Sequence, residues 1–81
     1  MEDRIRKALA TIKPEFMNYH GNNMFEDLGI DSHDIFNVVM TLEEAFKIEI
    51  SPIYMRMENF TSIEKIEEMI TGILQGSKEQ E

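Results

Sequence analysis

Ile5, Leu9 and Ile12 recur at i, i+4 and i+7 with Ala8 beside them, an apolar stripe opposite the basic residues of a first helix that Pro14 stops. From Pro14 to Asp31 the pattern breaks. Gly21, Asn22, Asn23 and Gly29 form turns there, while Phe16, Met17, Tyr19, Met24, Phe25, Leu28 and Ile30 can pin a long loop onto the core. A loop of that length in a small domain is often functional. The clearest helix begins at Asp31 or Ser32 and ends near Phe46 or Lys47, with Ile35, Val38, Val39, Leu42 and Phe46 on its inner side. Its outer positions are His33, Phe36, Asn37, Met40, Glu43, Glu44 and Lys47, so a large apolar pair sits i, i+4 among polar neighbours. An apolar pair rimmed by charge marks a contact surface, unless the helix is buried over a wider arc.

Ser51-Pro52 reads as an N-cap with proline at the first helical position, opening a short third helix that reaches Met57. Thr61 and Glu64 have capping-box spacing before a last helix that turns Ile63, Ile66, Met69 or Ile70, Ile73 and Leu74 inward and stops at Gly76. Ile48-Glu49-Ile50 alternates like a strand but has no partner with which to pair. The expectation is an all-α domain over residues 1–76: a four-helix bundle with a short third helix and a long loop between helices 1 and 2. The polar residues 77–81 are expected to form a disordered tail.

Composition narrows the function. Eight basic against 16 acidic residues give a net charge of -8, which repels phosphate backbones and argues against nucleic acid as a partner. Residues 1 to 13 hold four of the eight basic side chains, Arg4, Arg6, Lys7 and Lys13, so the acidic surface begins after the first helix. Cys 0 excludes disulfides and thiolate chemistry, and no apolar run approaches the roughly 20 residues of a membrane span. The start Met1-Glu2-Asp3 has no basic or apolar leader pattern, so a cytoplasmic protein is expected; a monomer is expected as well.

Ser32 stands where a turn meets the best helix. A hydroxyl there can cap the helix, a role Asp31 could also fill, or it can carry an esterified phosphate group, which the unpaired N–H groups and dipole of a helix N-terminus favour. The imidazoles, His20 and His33, have no metal-ligand spacing with carboxylates, and Asp27 to Asp34 lacks the donor order of a calcium loop, so no metal site is expected. His33 follows Ser32 directly and so points away from it on a helix, which excludes a Ser-His hydrolase.

The string Asp27-Leu28-Gly29-Ile30-Asp31-Ser32, followed by Asp34, Leu42-Glu43-Glu44 and Phe46-Lys47-Ile48-Glu49-Ile50, resembles the acyl carrier proteins. Phe60-Thr61-Ser62-Ile63-Glu64-Lys65-Ile66 looks like the start of that family's last helix, and the likeness runs from about Phe25 to Ile73. The resemblance implies a covalent 4′-phosphopantetheine on Ser32, with Asp31 flanking or orienting the attachment loop. It implies a carrier and not an enzyme, holding acyl intermediates as thioesters for fatty-acid or related lipid or polyketide biosynthesis. Implied partners are a phosphopantetheinyl transferase (holo-carrier synthase) and acyl-transfer or condensing enzymes with basic docking patches. His33, Asp34, Phe36, Met40, Glu43 and Glu44 are the implied partner contacts. Ile35, Val39, Leu42 and Phe46, with Ile63 and Ile66 opposite, are ordinary core positions that would also line the acyl chain's space.

The chain also departs from the family's pattern. His33 replaces the usual leucine or methionine after the serine, Asn37 a common acidic residue, Phe36 a small aliphatic, and Ile53-Tyr54-Met55-Arg56-Met57 an acidic short helix. A specialised carrier with a restricted partner set follows from these differences. Ile30-Asp31 resembles acyl-type carriers more than peptidyl or aminoacyl carriers. Seven methionines keep open the alternative of an unmodified, acidic protein-binding module, which would leave Ser32 bare.

Overall fold

The computed structural model describes residues 1–79, and among these there is no strand. Four α-helices run in chain order: α1 (Glu2–Ala10), α2 (Met24–Leu28), α3 (Ser32–Phe46) and α4 (Ile63–Glu79). Single 3-10 turns lie at Pro14–Asn18, Pro52–Tyr54 and Met57–Phe60. The fold is the expected all-α bundle, and α1 packs on both α3 and α4. Ile5, Leu9, Val38, Leu42, Ile66 and Ile70 are sealed from solvent at its centre. No described helix is long and apolar enough to cross a membrane.

The short elements differ from expectation. The segment expected to be a long loop folds into a 3-10 turn and the helix α2, whose first N–H, that of Met24, donates to the Thr61 carbonyl at 2.9 Å. Phe16 and Met24 anchor that segment from inside the core. The expected third helix is instead two 3-10 turns joined at Met55, whose φ of -81° and ψ of 64° form an inverse γ-turn closed by the Arg56 N–H to the Tyr54 carbonyl at 2.8 Å. Pro52 starts the first turn, but three residues make too little helix to propagate.

Helix ends follow local chemistry. Helix α4 is capped by Ser62 and not Thr61: the Lys65 N–H donates to Ser62 Oγ at 3.1 Å, while the Thr61 hydroxyl is turned to the Glu58 carbonyl. The helix passes Gly76 without a left-handed turn and takes in residues 77–79 of the expected tail, while residues 80 and 81 lie outside the described residues. A glycine inside a helix costs only about 1 kcal/mol, too little to stop one that its apolar face holds down. The Arg4 guanidinium reaches the Ala45 carbonyl at the end of α3 and stacks 4.9 Å from the centroid of the Phe46 ring, where a cation meets the negative end of the helix dipole.

Candidate functional site

The approach to Ser32 is built by Gly29 and Asp31. Gly29 ends α2 at φ 67°, a left-handed conformation that a side chain resists, and redirects the chain so that Ile30 is buried and Asp31 begins the next helix. A Cβ at Gly29 would meet nothing within 4 Å. Only backbone strain therefore opposes a side chain there. Gly29→Ala is expected to lower stability by about 1 to 2 kcal/mol in urea unfolding, with Gly29→Asn costing less because asparagine tolerates this region.

At the head of α3, Asp31 and Asp34 form a reciprocal capping box: the Asp34 N–H donates to Asp31 Oδ1 at 3.0 Å and the Asp31 N–H to Asp34 Oδ2 at 3.2 Å. The Asp34 N–H, foremost, and that of His33 hold the Asp31 carboxyl below its ordinary pKa. Ser32 is thereby released from capping. It occupies the first helical position, is exposed, and among the described residues its hydroxyl takes part in no hydrogen bond. The open question of which residue caps α3 is settled in favour of Asp31.

Ser32 and Asp31 stand on the rim of an apolar cleft of about 350 Å³, lined also by Phe25, Ile30, Ile35, Met55, Arg56, Met57 and Phe60. Of the residues expected to shelter cargo, only Ile35 borders this space. Val39, Leu42, Ile63 and Ile66 are buried in the core, and Phe46 is half-buried beneath Arg4. Periodicity does not reveal the walls of this cleft. Phe25 and Phe60 are drawn to it by α2 and the last 3-10 turn, and Met55 and Met57 by the γ-turn, so its members come from segments remote in sequence.

The expected partner face divides. Phe36 and Met40 are 60% and 55% exposed, so the wider burial of α3 is excluded, and His33 and Glu44 are exposed with them. Asp34 and Glu43 are half-buried and also make hydrogen bonds within the chain. Asp34 completes the capping box, and Glu43 Oε2 accepts the Ile50 N–H at 2.8 Å, tying the chain after α3 back to the helix. Ile53 and Met57, at 72% and 67% exposure, add apolar surface that α3 alone does not predict.

The family described as "Phosphopantetheine attachment site" matches residues 3–70. The chain belongs to this family. Its members hold 4′-phosphopantetheine covalently, and the chain is a carrier of that group and not an enzyme. Among curated proteins, the chain is 33% identical over 75 residues to an "Acyl carrier protein, chloroplastic" of Brassica napus, an alignment covering 93% of this chain and 54% of that protein. It thus spans about half the length of that relative. No solved structure matches it significantly. The site fits the family's group: an exposed, unengaged hydroxyl stands beside an apolar cleft, and no buried side chain must move to bare it.

Proposed function

We propose that Ser32 is the attachment residue, that its Oγ carries 4′-phosphopantetheine as a phosphodiester, and that the protein presents acyl groups as thioesters on that arm to enzymes of fatty-acid or related lipid or polyketide biosynthesis. The observation that carries the reading is the division of labour at the head of α3. Asp31 caps the helix, which leaves the neighbouring hydroxyl free and exposed on the cleft rim. The chemistry of thioester transfer belongs to the arm's thiol, which suits a chain with Cys 0. This chain's residues position the arm's root, and the cleft walls of Phe25, Ile30, Ile35 and Phe60 offer an apolar surface to what it bears. The likeness to an acyl carrier protein supports acyl rather than aminoacyl cargo. Incubation with coenzyme A and a broad-specificity phosphopantetheinyl transferase tests the reading: intact mass should rise by one phosphopantetheine, and an unchanged mass on folded protein would return Ser32 to a structural role.

Partners dock on the exposed side of α3. Phe36 and Met40 form an apolar centre, with His33 beside it and the Glu44 carboxylate at its edge to meet basic groups. A buried aromatic anchor commonly contributes more than 1 kcal/mol to an interface. Phe36→Ala is therefore expected to lower kcat/KM of transferase loading by about tenfold or more while leaving the circular dichroism spectrum unchanged. An unchanged kcat/KM would place transferase docking off this face.

A further inference from the structure

Arg56 is the one cation in the lining of the cleft that Ser32 borders. Its situation differs from that of the other two arginines. Arg4 is committed to the Ala45 carbonyl and the Phe46 ring, and Arg6 to Glu2 and to backbone carbonyls. Among the described residues, the Arg56 side chain makes no hydrogen bond, and no carboxylate lies within 4.0 Å of it. Its backbone is nevertheless firmly placed. The Arg56 N–H closes the inverse γ-turn onto the Tyr54 carbonyl at 2.8 Å, that same carbonyl accepts from Asn59 Nδ2 at 2.9 Å, and the Arg56 carbonyl accepts the Asn59 N–H at 3.0 Å. The fold thus holds an arginine with an uncommitted side chain in the lining of an apolar cleft, in a protein of net charge -8.

Loading Ser32 changes the electrostatics of that rim. A phosphodiester on Oγ places a second anion beside the Asp31 carboxylate, which the capping box keeps in place. Like charges on neighbouring residues repel, and a guanidinium offers two parallel N–H donors to two phosphodiester oxygens. Resting on the assignment of Ser32 as the attachment residue, we propose that Arg56 pairs with the phosphodiester of the attached arm and holds the arm's root at the cleft rim. Arg56 is then a positioning residue for the cofactor. The proposal also accounts for a positive charge within the apolar stretch from Ile53 to Met57.

The test uses unacylated holo-protein, so that the arm's phosphodiester is the only new anion, and compares wild type, Arg56→Gln and Arg56→Lys. Intact mass first establishes loading; absence of the added mass from wild type overturns the Ser32 assignment and this proposal with it. In fully loaded protein, the Arg56 Nε–H resonance should move on loading and exchange more slowly with water, and the 31P resonance should differ between wild type and Arg56→Gln. Raising the salt from 0.1 to 1 M, which shortens the Debye length from about 10 to about 3 Å, should shrink that difference. Arg56→Lys should fall between the two, since it keeps the charge without the fork. Full loading with unmoved Arg56 Nε–H and 31P resonances overturns the pairing.

Discussion

Ser32→Ala should accept no phosphopantetheine under conditions that load the wild type completely, and it should melt within about 4 °C of it. The first half follows from chemistry, since alanine has no oxygen to esterify. The second follows from the position of the residue. A serine that caps a helix leaves an unpaired N–H when it is removed, but here the Asp34 N–H is already held by Asp31 Oδ1 at 3.0 Å. Ser32 sits one residue inside the helix, where alanine is the better helix former. Asp31→Ala should behave in the opposite manner and lower the midpoint, because both halves of the capping box depend on that residue and its partner Asp34. The pH dependence has a definite sign. The bound form of Asp31 is its carboxylate and its pKa is lowered by the Asp34 N–H, so the cap is complete above the ordinary carboxylate range. It is lost only as the pH falls through Asp31's own lowered value. A Ser32→Ala protein that loads would show that this hydroxyl is not the carrier's anchor, and one that unfolds near room temperature would show that Ser32 and not Asp31 alone holds the head of α3.

The parts legible in the sequence are those in which one helix face decides the outcome. Helix α3, the inward set of Val38, Val39 and Leu42, and the exposed pair Phe36 and Met40 all follow from periodicity, and the structure keeps each of them. Ser32 was equally visible, as the residue after a turn that ends in Gly29 and Asp31. The parts that were not legible depend on contacts between distant segments. Glu43 reads as one more solvated carboxylate until Ile50 returns to give it an N–H. Asp34 did carry a signal, because Asp31 and Asp34 have the spacing of a capping box. Ser62 did not, because Thr61 and Glu64 offered the more familiar spacing one residue earlier, and the choice was made by the turn before α4. Nor could periodicity see the cleft: its walls come from α2, α3 and two 3-10 turns.

Arg6→Met should cost about 3 kcal/mol or more, read as a lower urea midpoint at unchanged m. Arg6 stands on the flank of the first apolar stripe and reads as one of four basic residues facing water, yet it is 7% exposed. Its Nη1 reaches three carbonyls, those of Phe16 at 3.0 Å, Met17 at 3.2 Å and Tyr19 at 2.7 Å, so two N–H bonds are shared among three acceptors. Nε donates to Glu2 Oε2 at 2.9 Å, and Nη2 lies 3.3 Å from His20 Nδ1. Methionine can fill the space of the stem but leaves the Met17 and Tyr19 carbonyls without a donor and the Phe16 carbonyl with only the Tyr19 N–H at 3.4 Å, and an orphaned buried acceptor costs about 1 to 3 kcal/mol. In a domain whose whole stability is on the order of 5 to 15 kcal/mol, that is a large fraction. Glu2→Gln should do little by comparison, because the Glu2 side chain is 52% exposed and such pairs contribute about 0 to 1 kcal/mol. The damage should also spread in a particular direction. The carbonyl of Tyr19 is held by Arg6, its hydroxyl donates to Asp27 Oδ2 at 2.7 Å and accepts the Asn23 N–H at 2.9 Å, and Asn23 caps the helix that Gly29 ends just before Ser32. Hydrogen exchange in Arg6→Met should therefore rise first between residues 14 and 28 and leave the centre of α3 protected. A variant with an unchanged midpoint and unchanged exchange over that segment would mean that Phe16 and Met24 anchor it without help, and that water replaces the guanidinium at no cost.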